Sequence, residues 1–335
     1  MFDNLFIPSQ PSLHRRWRLP IFFVGFLLGG IGIFFTSRST SPEFGQIRGL
    51  LDSVRGGDVA VPHESAPVHR PPPVPILHAS STPAPIFTAA SVLVKDRVSG
   101  AVLFSKDPYA PRSMASITKL MSAIILFDVG PLPMTATATV VSDTVIDTHM
   151  YAGDTYTIAD LWRSALVGSS NKAILTLVDT LGWSRDLFVN RMNEKAIELG
   201  MTSTVFFDPT GLDERNVSTA SDIAILLKEA LGKQLINETV LLPEYTLYAE
   251  ERGVTHQFWN TNWLLLQWIP HTFAAVRGGK TGYIPSSGYN FTVEVSNTSG
   301  QTLDVVVLGA DTHEARFTEA RDAAEWVFAN FGWPL

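Results

Sequence analysis

The order of predicted strands and helices indicates an α/β fold of the α+β type, in which both ends of a globular region build one antiparallel sheet. Residues 91–95 and 101–104 are strand-like runs separated by a short polar turn, which is typical of a β-hairpin. Two further strands are predicted at residues 290–296 and 303–308, before a closing helix over residues 314–331. The segment between these two groups is mostly helical. We therefore expect an antiparallel sheet flanked by helices, with a helical insertion between its first and last strands.

The helices of this insertion are predicted from their apolar spacing and from the residues at their ends. They start near residue 116 and then cover residues 157–165, 171–181, 185–199 and 219–231. Gly200 follows the fourth of these helices, at a position where glycine commonly ends a helix. Ser218 or Thr219 stands where the last helix needs an N-cap.

Composition argues against several classes of function. The 335 residues carry a net charge of −7, with no cluster of Lys or Arg large enough to indicate nucleic-acid binding. The chain has no cysteine, which removes disulfides, thiolate metal ligands and cysteine nucleophiles. His63, His69 and His78 are too irregularly spaced to indicate a metal site. We therefore expect neither a metal ion nor a cofactor.

The N-terminal segment has the features of a membrane anchor. Residues 19–35 form an uncharged apolar run of 17 residues, at the short end of what spans a bilayer. Arg15, Arg16 and Arg18 precede this run and only Arg38 follows it closely, which predicts that the N-terminus lies inside. No A-x-A type of cleavage site follows, so an uncleaved anchor is favoured, although cleavage as a signal peptide stays open.

A proline-rich segment follows the predicted anchor. Nine prolines fall within residues 37–86, and this composition favours an extended tether without a core. We therefore divide the chain into a short cytoplasmic tail (1–18), a transmembrane anchor (19–36), an extracytoplasmic linker (37–86) and a globular domain (87–335). This organisation predicts a single-pass protein of the cell membrane whose globular domain lies outside.

The most informative short motif is Ser116-Ile117-Thr118-Lys119, inside an apolar run. Because residues three apart share one face of a helix, this spacing places the Lys119 amine beside the Ser116 hydroxyl. A serine hydroxyl needs a neighbouring base to become a nucleophile, and a lysine acts as that base only when its pKa is lowered. Alone the motif is weak evidence, because Ser116 also suits a helix N-cap and Lys119 a solvated helix position.

Two later triplets complete an ordered set of motifs. The triplet S-S-N occupies residues 169–171, and K-T-G occupies residues 280–282. S-x-x-K, S-x-N and K-T-G in this order are shared by penicillin-binding proteins and serine β-lactamases. Taken singly, Ser169 and Asn171 also suit a simple helix cap, and Gly282 suits a strand that another backbone approaches closely.

The chain resembles the low-molecular-mass penicillin-binding proteins, the serine D-alanyl-D-alanine carboxypeptidases, over about residues 87–332. A-S-I-T-K-L-M at residues 115–121 is similar to the nucleophile segment of that family. G-L-D followed by S-T-A-S-D, within residues 211–222, is similar to the G-L-D and S-T-A-x-D stretch that follows the nucleophile segment in that family. G-K-T-G-Y at residues 279–283 and G-Y-N at residues 288–290 resemble its K-T-G strand pair. The resemblance implies the penicillin-binding-protein and β-lactamase type of transpeptidase fold.

The resemblance also implies acyl transfer at Ser116. Ser116 would attack the carbonyl between two D-alanine residues of a peptidoglycan stem peptide, with Lys119 as general base. Lys280 would lie nearby, where its positive charge helps to hold Lys119 neutral. Ser169 would pass a proton to the leaving amine, and Asn171 would hold the amide of the acyl part. β-Lactams mimic D-alanyl-D-alanine and would acylate the same serine.

The remaining implied roles concern substrate binding. Lys280 and Thr281 would receive the terminal carboxylate of the substrate. The backbone beyond Gly282 would supply the Tyr283 N–H as one oxyanion donor, with the N–H of the nucleophile as the other. Arg316 is a further candidate for the carboxylate because its guanidinium suits a carboxylate fork, but it equally suits the first turn of the last helix.

Three alternative functions stay open on the sequence. A class A β-lactamase would need a deacylating glutamate, and no E-x-x-L-N segment lies between Ser169 and Lys280. A D,D-endopeptidase that cuts peptidoglycan crosslinks would use identical chemistry, so the motifs do not separate it from a carboxypeptidase. A non-catalytic β-lactam sensor is disfavoured because the triplets are intact. Two residues depart from the family pattern: Ser170, where glycine is common, and Asp208, where asparagine is usual.

Overall fold

A computed structural model of the chain describes residues 72–334, apart from residues 142–144, 146 and 148–149. In chain order the strands are β1 Ile76–Leu77, β2 Ser91–Asp96, β3 Val102–Lys106, β4 Arg112–Ser113, β5 Thr137–Thr139, β6 Thr155–Thr157, β7 Val217–Ser218, β8 Glu244–Ala249, β9 Val254–Trp259, β10 Ala275–Ile284, β11 Gly288–Ser296, β12 Thr302–Ala310 and β13 Phe331–Gly332. The α-helices are α1 Thr118–Asp128, α2 Ile158–Leu166, α3 Asn171–Asp179, α4 Arg185–Glu198, α5 Ala220–Gly232, α6 Gln234–Val240 and α7 Ala315–Asn330. Short 3-10 helices, Ala115–Ile117 and Glu250–Arg252, precede α1 and β9.

The central sheet confirms the predicted α+β architecture. Its five strands run in the order β10–β11–β12–β2–β3, and every neighbouring pair is antiparallel. The first strands of the domain join the last ones through β2 and β12, with Leu93 opposite Val306. The described helices other than α7 all lie between β3 and β10 in the chain, and they form the predicted insertion.

The sheet separates two hydrophobic cores, because successive side chains of a strand point to opposite faces. On one face, Val92 and Val94 pack in a cluster with Phe317 and other residues of α7. On the opposite face, Leu93 and Val306 pack with the helices of the insertion, α1 and α5 among them. The first nine residues of helix α1, 118–126, are all buried, so the start of this helix is held firmly in the core.

The predicted helices and strands agree with the structure at most positions. Helix α4 ends just before Gly200, which has the positive φ of 78° expected of a helix terminator. Thr219 caps α5, since its side chain accepts a hydrogen bond from the Asp222 backbone N–H. Helix α3 is shorter than predicted and ends at Asp179. The β8–β9 hairpin and α6 were not predicted, and both belong to the insertion.

The folded domain begins before the predicted boundary at residue 87. β1 pairs with β13, with Ile76 opposite Gly332, and the Thr82 backbone N–H donates to Asn330 Oδ1 at 2.6 Å. The last part of the predicted linker is therefore packed onto the domain. The predicted tail, the predicted anchor and the first part of the linker lie outside the described residues. None of the helices that the structure does describe is long and apolar enough to cross a bilayer.

Candidate active site

Ser116 lies in a tight turn at the start of α1. It is the middle residue of the 3-10 helix Ala115–Ile117, and Ala115 has a positive φ of 47°, which is uncommon for a residue with a Cβ. The Ser116 side chain caps neither this turn nor α1, so the N-cap interpretation of Ser116 is wrong. Unfavourable backbone conformations persist only where packing holds them, and they concentrate at functional sites.

Lys119 is completely buried, and its amine contacts three oxygen atoms. Its Nζ lies 2.9 Å from Ser116 Oγ, 2.7 Å from Asn171 Oδ1 and 2.8 Å from the Thr210 carbonyl oxygen. The amide and carbonyl oxygens can only accept hydrogen bonds. In the neutral amine, the two N–H groups donate to these two oxygens and the lone pair is left facing the hydroxyl. A general base for Ser116 requires this arrangement.

The charge state of Lys119 is set mainly by burial. Removing the ammonium from water disfavours the charged form and lowers the pKa of Lys119 to about 7, while the carboxylates of Asp208 and Asp147 act to raise it. Burial also lowers the pKa of Lys280 well below its usual value, as do the positive charges of Lys119 and Arg316. A substantial fraction of Lys119 is therefore neutral near pH 7 and able to take a proton.

Ser169 is held by the second buried lysine. Lys280 Nζ donates to Ser169 Oγ at 2.8 Å, and Ser169 has a positive φ of 60° in the turn before α3. The cap of α3 is the intervening residue, Ser170, whose hydroxyl accepts from the Ala173 N–H at 3.0 Å. The helix-cap interpretation of Ser169 and Asn171 is therefore wrong, and each of the two contacts a lysine of another motif.

Five predicted residues thus meet in one site, in two hydrogen-bonded groups whose lysines interact electrostatically. Ser116, Lys119 and Asn171 make one part of it, and Ser169 and Lys280 make the other. We call these residues the catalytic cluster, after the roles that the resemblance implies for them. Within the described ranges, no group of three His, Cys, Asp or Glu side chains is placed to hold a metal ion.

Two glycines let the backbone close around the nucleophile. A Cβ at Gly282 would lie 2.5 Å from the Met114 carbonyl oxygen and 3.2 Å from the Ser116 nitrogen. A Cβ at Gly211 would lie 2.0 Å from the Ala115 carbonyl oxygen. Only glycine therefore allows these backbone segments to lie so close together. The edge strand β10 therefore lies beside Ser116, and the two predicted oxyanion donors, the backbone N–H groups of Ser116 and Tyr283, are on neighbouring backbone segments.

The side of the site that is predicted to bind the substrate carboxylate contains a residue that no motif marks. The Thr281 hydroxyl donates to Thr261 Oγ1 at 2.7 Å, so two hydroxyl groups lie side by side at the residue that follows Lys280 in the chain. Thr261 belongs to the segment between β9 and β10. A single threonine in an irregular segment shows no sequence pattern, so only its position in the fold identifies Thr261 as part of the site.

Arg316 is buried beneath β10. Its Nη1 donates to the Gly282 carbonyl oxygen at 3.4 Å, and its Nη2 lies 2.7 Å from His313 Nε2. Burial lowers the pKa of Arg316 to about 10, and the guanidinium also lies over the rings of Tyr289 and Phe317. Arg316 lies in the first turn of α7, as predicted by the interpretation of Arg316 as a residue that begins the last helix. Its role in carboxylate binding stays a prediction.

Asp147 supports the catalytic cluster from a neighbouring loop. Its Oδ2 accepts from the Ser170 hydroxyl and from the Lys172 backbone N–H, both at 2.7 Å. These two bonds hold the start of α3, the helix that carries Asn171 at its first position. Nothing in the sequence near residue 147 indicated this contact, because the loop and the helix meet only in the folded chain.

The central sheet with its helical insertion and its serine–lysine cluster defines the penicillin-binding-protein fold, and comparisons with known proteins agree. The D-alanyl-D-alanine carboxypeptidase family profile matches residues 78–312. A D-alanyl-D-alanine endopeptidase of Pseudomonas aeruginosa is 30% identical over 71% of this chain and 77% of its own length. The carboxypeptidase DacA of Haemophilus influenzae is 30% identical over 74% of this chain and 63% of its own length. Penicillin-binding protein D2 of Listeria monocytogenes, solved in an ampicillin-bound form, is 26% identical with a TM-score of 0.63, over 74% of this chain and all of that one.

The chain therefore belongs to the D-alanyl-D-alanine carboxypeptidase family. It spans slightly less than two thirds of the length of the Haemophilus carboxypeptidase and more than three quarters of the Pseudomonas endopeptidase. The matched region contains all five residues of the catalytic cluster.

Proposed function

We propose that this protein is a serine D,D-carboxypeptidase that removes the terminal D-alanine from peptidoglycan stem peptides through an acyl-enzyme. The observation that carries the proposal is the buried Lys119 amine. Its pKa of about 7 and its 2.9 Å distance to Ser116 Oγ suit a general base working near neutral pH. Membership of the family supports D-alanyl-D-alanine as the substrate class.

In acylation, the Ser116 proton moves to Lys119 Nζ while Ser116 Oγ bonds to the carbonyl carbon of the penultimate D-alanine. The two Lys119 N–H groups stay on Asn171 and Thr210, so the amine does not have to turn as it takes the proton. The negative charge that develops on the substrate oxygen needs preorganised donors. The backbone N–H groups of Ser116 and Tyr283 suit this role because the two backbones lie side by side.

Departure of D-alanine needs a proton on its nitrogen. We assign this step to Ser169, which gives its hydroxyl proton to the leaving nitrogen as the C–N bond breaks and recovers a proton from Lys119. The 2.8 Å hydrogen bond from Lys280 fixes the Ser169 hydroxyl for this task. Water then attacks the ester carbonyl while Lys119 accepts its proton. Lys119 passes that proton to Ser116 Oγ, 2.9 Å away, as the ester C–O bond breaks, which releases the shortened peptide and restores the Ser116 hydroxyl.

The C-terminal carboxylate of the substrate suits the side of the site formed by Lys280, Thr281 and Thr261. Burial lowers the pKa of Lys280, and a carboxylate close to the amine would raise it by favouring the ammonium. The neighbouring threonine hydroxyls add two groups that can donate hydrogen bonds. The same side of the site would receive the carboxylate of a β-lactam.

A D,D-endopeptidase that cuts crosslinks is the second candidate, because the Pseudomonas relative bears that name. Its leaving group would be the side-chain amine of a second stem peptide instead of free D-alanine, and the acyl-enzyme would be the same. Digestion of purified muropeptides separates the two activities. A carboxypeptidase shortens pentapeptide monomers, whereas an endopeptidase converts crosslinked dimers to monomers.

We further propose that residues 19–36 anchor the protein in the cell membrane with the peptidase domain outside. The apolar run and the excess of arginine before it support this location, and so does a substrate found in the cell wall. Extraction of cell membranes with alkaline carbonate tests it. A spanning anchor keeps the protein in the pellet, and release into the supernatant would contradict the proposal.

The proposed chemistry is tested by intact-mass measurement of the full chain, purified in detergent, at successive times after addition of benzylpenicillin. We expect a long-lived adduct of one drug molecule, absent from Ser116→Ala, together with release of D-alanine from a pentapeptide. Rapid loss of the drug with only a fleeting adduct would indicate a β-lactamase. Absence of both adduct and peptide turnover would contradict the proposed function.

A further inference from the structure

The turn at residues 207–212 lies against the nucleophile segment, and one carboxylate holds it together. Asp208 accepts hydrogen bonds from the backbone N–H groups of Gly211 at 2.9 Å, Thr210 at 3.3 Å and Leu212 at 3.3 Å. It also accepts from the Thr210 hydroxyl. Because three successive N–H groups converge on one side chain, the directions of the carbonyl groups between them are fixed.

Asn216 fixes the Asp208 carboxylate from the other side. This amide is completely buried, and its Nδ2 donates to Asp208 Oδ1 at 2.7 Å and to the Asp208 carbonyl oxygen at 2.9 Å. Its Oδ1 accepts from the backbone N–H groups of Phe207 and Asp208. Nδ2 also lies 3.2 Å from the Thr118 hydroxyl, at the start of α1. The turn is thereby tied to the helix that carries the general base.

The turn supplies two parts of the active site. The Thr210 carbonyl oxygen accepts from Lys119 Nζ at 2.8 Å, so it orients the base. The Gly211 backbone backs the nucleophile segment so closely that a Cβ there would lie 2.9 Å from the Ser116 nitrogen. Both contacts depend on the conformation that Asp208 stabilises.

We propose that Asp208 is a positioning residue for the proposed peptidase: it aims the Thr210 carbonyl at Lys119, and its negative charge favours the protonated form of that lysine. The inference rests on the proposed function, since its readout is the reactivity of Ser116. The family that this chain resembles usually has asparagine at this position. An asparagine there would fill the same space but carry no charge.

The charges around Lys119 come from several elements. Asp208 approaches from the turn, Asp147 from the loop before α3, and Lys280 from β10, with Arg316 of α7 beyond Lys280. Of the two carboxylates that raise the pKa of Lys119, Asp208 has the larger effect. Removing its charge leaves the effect of burial less opposed, so the pKa of Lys119 should fall.

The test compares the acylation rate of the parent chain, Asp208→Asn and Asp213→Asn with benzylpenicillin between pH 5 and pH 9. The rate of the parent should rise through about pH 7, because the neutral Lys119 amine is the reactive form. In Asp208→Asn we expect the midpoint to move down by about one pH unit and the plateau to fall about tenfold as the turn loosens. Asp213→Asn is the matched control from the same loop, because its carboxylate pairs with Arg215.

Each outcome has a defined meaning. If the parent forms the adduct but Asp208→Asn keeps the parent midpoint, the inference is overturned while the proposed function stands. A lower plateau and melting temperature without a shifted midpoint would show a purely structural role and would equally overturn it. If the parent forms no adduct, the proposed function itself fails. Asp208→Glu keeps the charge, and it should therefore keep the parent midpoint even where the plateau falls.

Discussion

A methyl group on Gly282 would separate the two backbone segments that frame the nucleophile. A Cβ there would lie 2.5 Å from the Met114 carbonyl oxygen and 3.2 Å from the Ala115 Cβ, whereas ordinary contacts begin at 3.4 Å. Its nearest neighbour is a backbone atom, so no change of rotamer relieves the clash, and β10 must move away by about 1 Å. Misplacement of reacting groups by 1 Å costs about 100-fold in rate. We therefore expect Gly282→Ala to be acylated about 100-fold more slowly than the parent.

The assay is the second-order rate of labelling by a fluorescent penicillin at pH 8, with the melting temperature of each variant measured in parallel. Gly232→Ala is the matched control, because a Cβ there meets nothing within 4 Å and its φ is ordinary. We expect this control to label at the parent rate. A Gly282→Ala protein that melts like the parent and labels within threefold of its rate would refute the argument that this close approach creates the site.

Two further predictions concern a substrate contact and stability. Thr261→Val removes a hydroxyl that lies 2.7 Å from the Thr281 hydroxyl. We expect KM for a D-alanyl-D-alanine peptide to rise about fivefold, which corresponds to the loss of one hydrogen bond, with little change in kcat. An unchanged KM would show that the substrate carboxylate binds elsewhere. Asp304 lies opposite Glu294 in the sheet, and burial raises its pKa from 3.8 to about 6, partly offset by Arg97. Because the folded-state value is the higher one, the free energy of unfolding declines by about 3 kcal/mol in total as the pH rises from below 4 to above 6. In urea titrations Asp304→Asn should therefore exceed the parent in stability at pH 7 and match it at pH 4, and equal stabilities at both pH values would contradict this reasoning.

The side chains that meet in the site could be predicted because each motif is a short run of residue types. Ser116 and Lys119 are three residues apart on one turn, and that spacing alone places the amine beside the hydroxyl. The order of the three triplets then indicated that Ser169, Asn171 and Lys280 would join them, as the structure shows. The α+β architecture followed from local periodicity for the same reason, since strand and helix patterns are read over a few residues.

The remainder of the site depends on contacts between segments that are far apart in the chain. Thr261 meets Thr281 across 20 residues, and the Thr210 carbonyl meets Lys119 across 91. Neither contact leaves a pattern in a single sequence. Asp208 stood out in the sequence as a departure from the family's asparagine, and the function of its turn appears only where the turn touches α1. The position of Arg316 beneath β10 likewise depends on how α7 packs on the sheet.

The pairing of β1 with β13 has a mechanical consequence. This pairing joins the first strand of the described domain to its last strand, and the Trp326 indole N–H donates a hydrogen bond to the Thr82 carbonyl oxygen at 3.0 Å. When the chain before β1 is pulled, the first bonds under load are those of a ladder only two residues long. The strand that carries Lys280 is an edge of a different sheet, several strands removed from β2. We therefore expect the β1–β13 pair to open first under tension, and its opening would break no hydrogen bond of the catalytic cluster.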